Sequence, residues 1–426
     1  MNDTSKVAAV RLDASHGVLD RALRERLLRL LATLNESRLT LTDALGSNEL
    51  GDDAGGDPLR ARVRVHDPAF WRRVATHGSV GAGEAYIDGQ WDCDDLVALV
   101  RMLVRNRDHL DAMDTGLARV GGLALRAWAA LRRNTHAGSR RNIAAHYDLG
   151  NAFFGLFLSD DLMYSSALYA DEHESLETAS TRKLERICAK LDLQPGDRVL
   201  EIGSGWGGFA LHAAGRYGCH VTTTTISREQ HALATARVAA AGLADRVTVL
   251  DRDYRDLDGR YDKVVSIEMV EAIGHQYLDT YCRTLAERLE PHGLALVQAI
   301  TIEDHRYARA LAAVDFIKRH VFPGSFIPSV AAMLDATART GDLRLVNLEE
   351  FGPSYALTLR AWRERFLARL PEVRAQGYDE RFVRLWEFYL AYCEGGFRER
   401  SVGVAQMLFA RPRNRRAAFM PGLERA

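Results

Sequence analysis

The stretch Val199-Leu-Glu-Ile-Gly-Ser-Gly-Trp-Gly-Gly208 decides how this chain is read. An apolar run that stops at glycines and then enters helix-forming sequence is a strand, a tight loop and a helix in succession. Gly203 and Gly205 let the backbone turn sharply and lie against a ligand, where a side chain would intervene. Outward from the loop, helical and strand-like patterns alternate. They predict a helix over Leu176–Leu191, a strand over Arg198–Ile202, a helix from about Gly207, a strand over 220–224, a helix over 228–241 and a strand over Val247–Asp251. A strand over 263–267, a helix over 276–289 and a strand over 294–300 follow. Strands separated by helices pair in parallel, so the expected class is α/β with a doubly wound, mostly parallel, Rossmann-like sheet.

Three details favour S-adenosylmethionine over a dinucleotide. The strand carries acidic Glu201 just before the loop, the E/D-x-G-x-G form of methyltransferases. The second strand ends in Thr222-Thr-Thr-Thr-Ile-Ser227, with no carboxylate for a ribose. The third ends in Asp251-Arg-Asp-Tyr254, where Asp253 offers a hydrogen bond to an adenine amino group beside the ring of Tyr254.

At 426 residues the chain exceeds one typical domain, which predicts a catalytic domain and an accessory one. Apolar residues make up 47% and the formal net charge is −1, so a packed core is available and nucleic acid is not the expected partner. Cys93, Cys188, Cys219, Cys282 and Cys393 are scattered, suggesting neither a zinc site nor a disulfide framework and fitting a reducing cytoplasm. The N-terminus lacks a secretory pattern, and no run of about 18 apolar residues predicts a spanning helix. Residues 18–34 place Leu19, Leu23, Leu27, Leu30, Leu31 and Leu34 on one helical stripe, with Arg21, Arg24, Arg26 and Arg29 interspersed. Such a helix either packs on its own domain or lies on a membrane of anionic headgroups. The polar stretch 46–58 reads as a loop, and an acidic start at Asp94 opens a helix over 94–106. The basic run with Arg132, Arg133, Arg140 and Arg141 is a solvated linker or a phospholipid contact. The domains expected are a helical one over 1–125, a linker over 126–145 and a catalytic one over 146–426.

Motifs along the chain resemble the cyclopropane fatty acid synthase family, which includes the mycolic acid cyclopropane synthases. They are His146-Tyr-Asp-Leu-Gly-Asn-Ala-Phe-Phe154, Met163-Tyr-Ser-Ser-Ala167, the glycine loop, Thr225-Ile-Ser-Arg-Glu-Gln230 and Glu271-Ala-Ile-Gly-His275. Val321-Phe-Pro-Gly-Ser-Phe-Ile-Pro-Ser329, Gly352-Pro-Ser-Tyr-Ala-Leu-Thr-Leu359 and Cys393-Glu-Gly-Gly-Phe-Arg398 complete the set. The resemblance implies that Tyr164 and Ser165 close over the methionine end of the cofactor. Val199, Leu200, Glu201, Ile202, Gly203, Ser204, Gly205, Trp206 and Gly207 would lie beneath it. Thr225 and Gln230, with Ile226 and Ser227 between them, would hold the ribose region. Tyr254 and Arg255 would flank the adenine. It further implies an unsaturated phospholipid acyl chain as substrate, a phospholipid bilayer met peripherally at the inner face of the membrane, and a possible homodimer.

In the mechanism this resemblance implies, the alkene attacks the electrophilic methyl group. A bound bicarbonate then takes a proton from the resulting cation so that a ring closes, which demands a dry site and an oriented base. Glu271, Tyr355 and the Ile300 amide stand where the family holds that bicarbonate. Ser166 and Gln298 stand where the family has a cysteine and a histidine; both can hydrogen-bond an anion as neutral groups. Ring closure through bicarbonate is expected, with methyl or methylene branching and small-amine N-methylation as alternatives. A non-catalytic binding protein is a further one. Cys393 matches a cysteine counted with the family's active site, yet no step needs a thiol, so a structural or near-pocket role is favoured. His275 would share a helical face with Glu271, orienting it or capping the next helix. His146 and Tyr147 are expected over the cofactor. Phe316, Ile317, Val321, Phe322, Phe326 and Ile327 are core or the wall of an acyl tunnel.

Overall fold

Residues 59–65, Leu-Arg-Ala-Arg-Val-Arg-Val, alternate apolar and charged side chains with the period of a strand, and a strand they are. The computed structural model describes residues 17–53, 58–112, 134–136, 138–139 and 149–416. Two units are distinguished, Met1–Leu123 with Glu380–Phe388, and Ala124–Asp379 with Tyr389–Ala426. In the first, β1 (Ser37–Asp43), β2 (Gly46–Asp52), β3 (Leu59–Val65) and β4 (Trp91–Cys93) form a sheet in the order β2-β1-β3-β4. Helices accompany it, at Val18–Leu31 and Leu96–Arg105 as expected and at Ala69–Ile87 in addition, with Leu96–Arg105 capped by the Asp95 carboxylate accepting from the Ala98 amide at 2.8 Å. The sheet itself is an addition to the helical reading. It also corrects the loop expected over 46–58: Gly46–Asp52 pairs antiparallel with β1. A polar hairpin with one solvated face has too few apolar residues to announce itself. Trp71, Tyr86 and Trp91 are buried here with Phe388, and Arg384 lies 3.9 Å from the centre of the Tyr86 ring.

The second unit carries β5 (Arg198–Ile202), β6 (His220–Thr225), β7 (Val247–Asp251), β8 (Tyr261–Ile267), β9 (Leu289–Ile302), β10 (Arg344–Glu350) and β11 (Val402–Ala410). Their order is β10-β11-β9-β8-β5-β6-β7, parallel from β9 to β7 and antiparallel at β11 and β10. Val199, Val265, Ile267 and Leu296 join one apolar cluster, while their neighbours Leu200, Ile202, Val264, Ala295 and Val297 join another. The pleat thus sends alternate residues to opposite faces, and helices cover both, as the doubly wound class requires. Every strand and helix expected between 176 and 300 is present, with ends shifted by a few residues. The winding reverses between β5 and β8, and a crevice for ligands forms at such a reversal, beyond the carboxyl ends of those strands. The expected linker falls largely on 113–133 and 140–148, and His146 and Tyr147 with it, outside the described residues.

Candidate active site

Directly after β5, Gly203, Gly205 and Gly207 take positive φ angles of 99°, 49° and 86°. The Gly203 and Ser204 amides donate to the Thr224 carbonyl at 3.1 and 2.9 Å, which fastens the loop to the end of β6. A Cβ on Gly203 would stand 3.0 Å from Met269 Cγ, so the loop and the turn after β8 pack without room for a side chain. Around Gly205 the position of a Cβ is open. That is a cradle of backbone into which a cofactor fits. Val199, Leu200 and Ile202 send their side chains into the core and position the loop rather than line it. Glu201 is 1% exposed; burial pushes its carboxyl up to about 8, and the Thr223 hydroxyl donates to it at 2.6 Å.

Aromatic rings gather on the other side of the loop. The indole nitrogen of Trp206 donates to Asn151 Oδ1 at 2.6 Å, and Phe154 packs 5.0 Å from Trp206 and 5.2 Å from Tyr164. Tyr164 in turn lies 5.2 Å from Trp362 and 6.4 Å from Phe322, with its hydroxyl 2.8 Å from that of Tyr389. Ser165 accepts from the ammonium of Lys183 at 2.9 Å. Lys183 is fully buried, and burial lowers its pKa to about 8.

At the ends of β6 and β7 the expected pairs meet. Thr225 donates to Gln230 Oε1 at 2.9 Å, and Ser227 caps the helix Arg228–Ala240 by accepting from the Gln230 amide, with Ile226 half-buried between them. Asp253 is held by Arg255 at 2.6 and 2.8 Å, which keeps its carboxyl below the ordinary range against the pull of burial. The Arg255 guanidinium lies 5.5 Å from the Tyr254 ring and 5.0 Å from that of Tyr277.

The residues expected to be catalytic assemble around one that the sequence reading passed over. Glu268, the first residue after β8, accepts from the Ser166 amide at 2.9 Å and from Gln298 Nε2 at 2.8 Å on Oε1. It accepts from the Tyr355 hydroxyl at 2.8 Å on Oε2. Gln298 is held in that sense by Gln406, which donates to its Oε1 at 3.0 Å. The Ser166 hydroxyl turns instead to the Ala167 carbonyl. Glu271 takes the Ile300 amide at 2.6 Å on Oε1, while its buried Oε2 finds no hydrogen-bond partner among the described residues. Burial, and then the neighbouring charge of Glu268, push the Glu271 carboxyl up to about 8. Three of the groups assigned to a bicarbonate, the Tyr355 hydroxyl, Gln298 Nε2 and the Ile300 amide, are therefore directed at carboxylates of the chain itself. A signal for Glu268 was present: an acid immediately following a strand, as Glu201 precedes its loop.

The helical face proposed for Glu271 and His275 does not exist, because Val270–Ala272 and His275–Tyr277 are separate 3-10 turns with Gly274 between them, and His275 is exposed. Cys393 is half-buried, and burial raises its thiol pKa, which suits structure rather than nucleophilic chemistry. Phe316, Val321 and Phe326 are core, whereas Phe322 is half-buried against Tyr164 and Tyr389.

The family model for mycolic acid cyclopropane synthetase matches residues 134–407. The chain is 38% identical to a tuberculostearic acid methyltransferase of Mycobacterium tuberculosis, over 92% of this chain and 91% of that one. It is 37% identical to the cyclopropane-fatty-acyl-phospholipid synthase of Escherichia coli, over 86% and 92%. A solved mycolic acid cyclopropane synthase in complex with SAH and CTAB superposes with a TM-score of 0.60 at 28% identity, over 64% of this chain and 98% of that one.

Proposed function

Since the chain belongs to the mycolic acid cyclopropane synthetase family, and so is an S-adenosylmethionine-dependent methyltransferase, we propose that it acts on the double bond of an unsaturated phospholipid acyl chain and forms a cyclopropane ring there. The cofactor, when bound, supplies an electrophilic methyl group. The chain's residues hold it, exclude water and manage the proton that ring closure releases. The glycine loop and Thr225 with Gln230 are suited to the cofactor, and Tyr164 and Ser165 border its methionine end.

The observation that carries the acyl reading is the aromatic shell of Phe154, Tyr164, Phe322, Trp362 and Tyr389 beside the loop, with Tyr355 4.4 Å from Phe397. Rings of this density exclude water, accommodate hydrocarbon and present their faces to a passing cation. The buried pair of Glu268 and Glu271 is suited to managing the released proton. Contact with the lipid surface is proposed to be peripheral; among the described residues no helix is long and apolar enough to cross a membrane.

Expression in cells lacking their own synthase, followed by mass spectrometry of the fatty acids, tests the reading. Unsaturated chains should gain one CH2 unit each and retain one ring or double-bond equivalent. Proton NMR of the product separates a ring from a methylene branch, and a methyl branch shows as two further hydrogens. An unchanged acyl profile, with a purified protein that binds S-adenosylmethionine, would refute the acyl substrate.

A further inference from the structure

We propose that the carboxylate of Glu268, not a bound bicarbonate, is the base that removes the proton when the ring closes. The inference rests on the acyl-chain reading above. Glu268 follows the last residue of β8, at the reversal of winding between β8 and β5, where a ligand crevice forms. Its neighbour Met269 is the side chain that a Cβ on Gly203 would strike, so this turn abuts the cofactor loop.

Two features set Glu268 apart from a carboxylate kept for packing. First, its φ is 50°, a left-handed conformation that costs a non-glycine residue about 1 kcal/mol or more. Its amide is fastened there by the Gln298 carbonyl at 2.8 Å. Backbone strain at a half-buried charged residue needs a compensating use. Second, its carboxylate receives three donors from three separate parts of the chain, residues 166, 298 and 355. The same donors would be needed by an exogenous anion, and Glu268 already takes them.

Those donors favour the ionised form, opposing the burial that raises its pKa. Glu271, with one backbone donor and a carboxyl pushed up to about 8, is the member of the pair that keeps its proton at neutral pH. One carboxylate and one carboxylic acid side by side avoid a doubly charged site. A weak base suffices, because the methyl C–H electrons pass to a cationic carbon one atom away, so that loss of the proton and ring closure occur together. In the step, the Glu268 carboxylate takes one hydrogen of the new methyl group as a proton. The electron pair of that C–H bond forms the third ring bond to the cationic carbon. Glu268 is left as the carboxylic acid and returns its proton to solvent when product leaves.

The test uses the full-length enzyme, unsaturated phospholipid vesicles and labelled S-adenosylmethionine. In buffer scrubbed of carbon dioxide the wild-type turnover should equal that with added bicarbonate; a requirement for bicarbonate overturns the proposal. Glu268→Gln should lose about a hundredfold or more of turnover, the scale of a lost general base, with cofactor affinity by calorimetry unchanged. Wild-type turnover in that variant overturns the proposal too. Glu268→Gly should regain turnover when formate is added, and no regain in a variant that still binds the cofactor counts against the proposal. Failure of the wild type itself to label any lipid would sink the acyl reading instead, and so the two failures are distinguishable.

Discussion

Glu201 and Lys183 are ordinary charged residues in water, and burial changes both. The Glu201 carboxyl titrates at about 8 in the fold against an ordinary 4.5. Between these values the unfolded chain has released the proton and the folded chain retains it. Stability therefore falls as pH rises through this window, by about 1.4 kcal/mol per unit for one such group. Lys183 has the opposite sense. Its folded pKa of about 8 lies below the ordinary 10.5, so its penalty is complete below about pH 8 and is relieved above it. We expect Glu201→Gln, which can still accept from Thr223, to remove the first slope. Melting curves of wild type and variant should converge near pH 5 and separate toward pH 8, with the wild type the less stable. Parallel curves would show that Glu201 is not held neutral. The sequence announced Glu201 through its place before the glycine loop; Lys183 sits in an amphipathic helix among other cations and announced nothing.

Between elements, the pairing of β11 with β9 sets the direction of the site's hydrogen bonds. Gln406 lies opposite Gln298 in the antiparallel register, and both are fully buried. Its amide nitrogen occupies the Gln298 oxygen, which leaves the Gln298 nitrogen for Glu268. Gln406→Leu removes that constraint and strands a buried carbonyl oxygen, at a cost of about 1–3 kcal/mol. Gln298 can then flip its oxygen toward the carboxylate. Turnover should fall about tenfold or more while cofactor affinity holds; equal turnover would show that Gln406 does not position the site. Of the two strands, β9 was legible as an apolar run and β11 was not read from the sequence. The register was not, because sliding β11 by two residues leaves the same side chains on the same face.

For the molecule as a whole, the first unit is proposed to meet the lipid surface that presents the substrate. In the helix Val18–Leu31, Arg24 is committed to Asp43 at 2.5 Å and Leu31 is buried, so part of this helix packs on its own unit. Val18 and Leu19 are 89% and 61% exposed, and Arg21, Arg26 and Arg29 face solvent. The helix therefore packs on its own unit in one part and exposes apolar and cationic residues in another, on which the proposed lipid contact rests. Charge reversal of Arg21, Arg26 and Arg29 should weaken sedimentation with anionic vesicles by about 1 kcal/mol per residue, leaving cofactor binding intact. Equal sedimentation would place the lipid contact elsewhere.

The sequence by itself determined the order of strands and helices between residues 176 and 300 and the glycine loop assigned to the cofactor. Both follow from local causes: a period of two or 3.6 along the chain, and backbone angles that glycine alone adopts without strain. It did not determine the β1–β4 sheet, where β1 pairs in parallel with β3 across an intervening strand, and polar faces hide the pattern. Nor did it decide which of two glutamates, three residues apart, stands at the centre of the set assigned to catalysis. Glu268 and Glu271 are the same residue type in the same short turn. What separates them is that Ser166, Gln298 and Tyr355 converge on one and a single backbone amide on the other. That convergence exists only once distant segments pack together, and the donors on Glu268 then oppose the burial that raises both carboxyls.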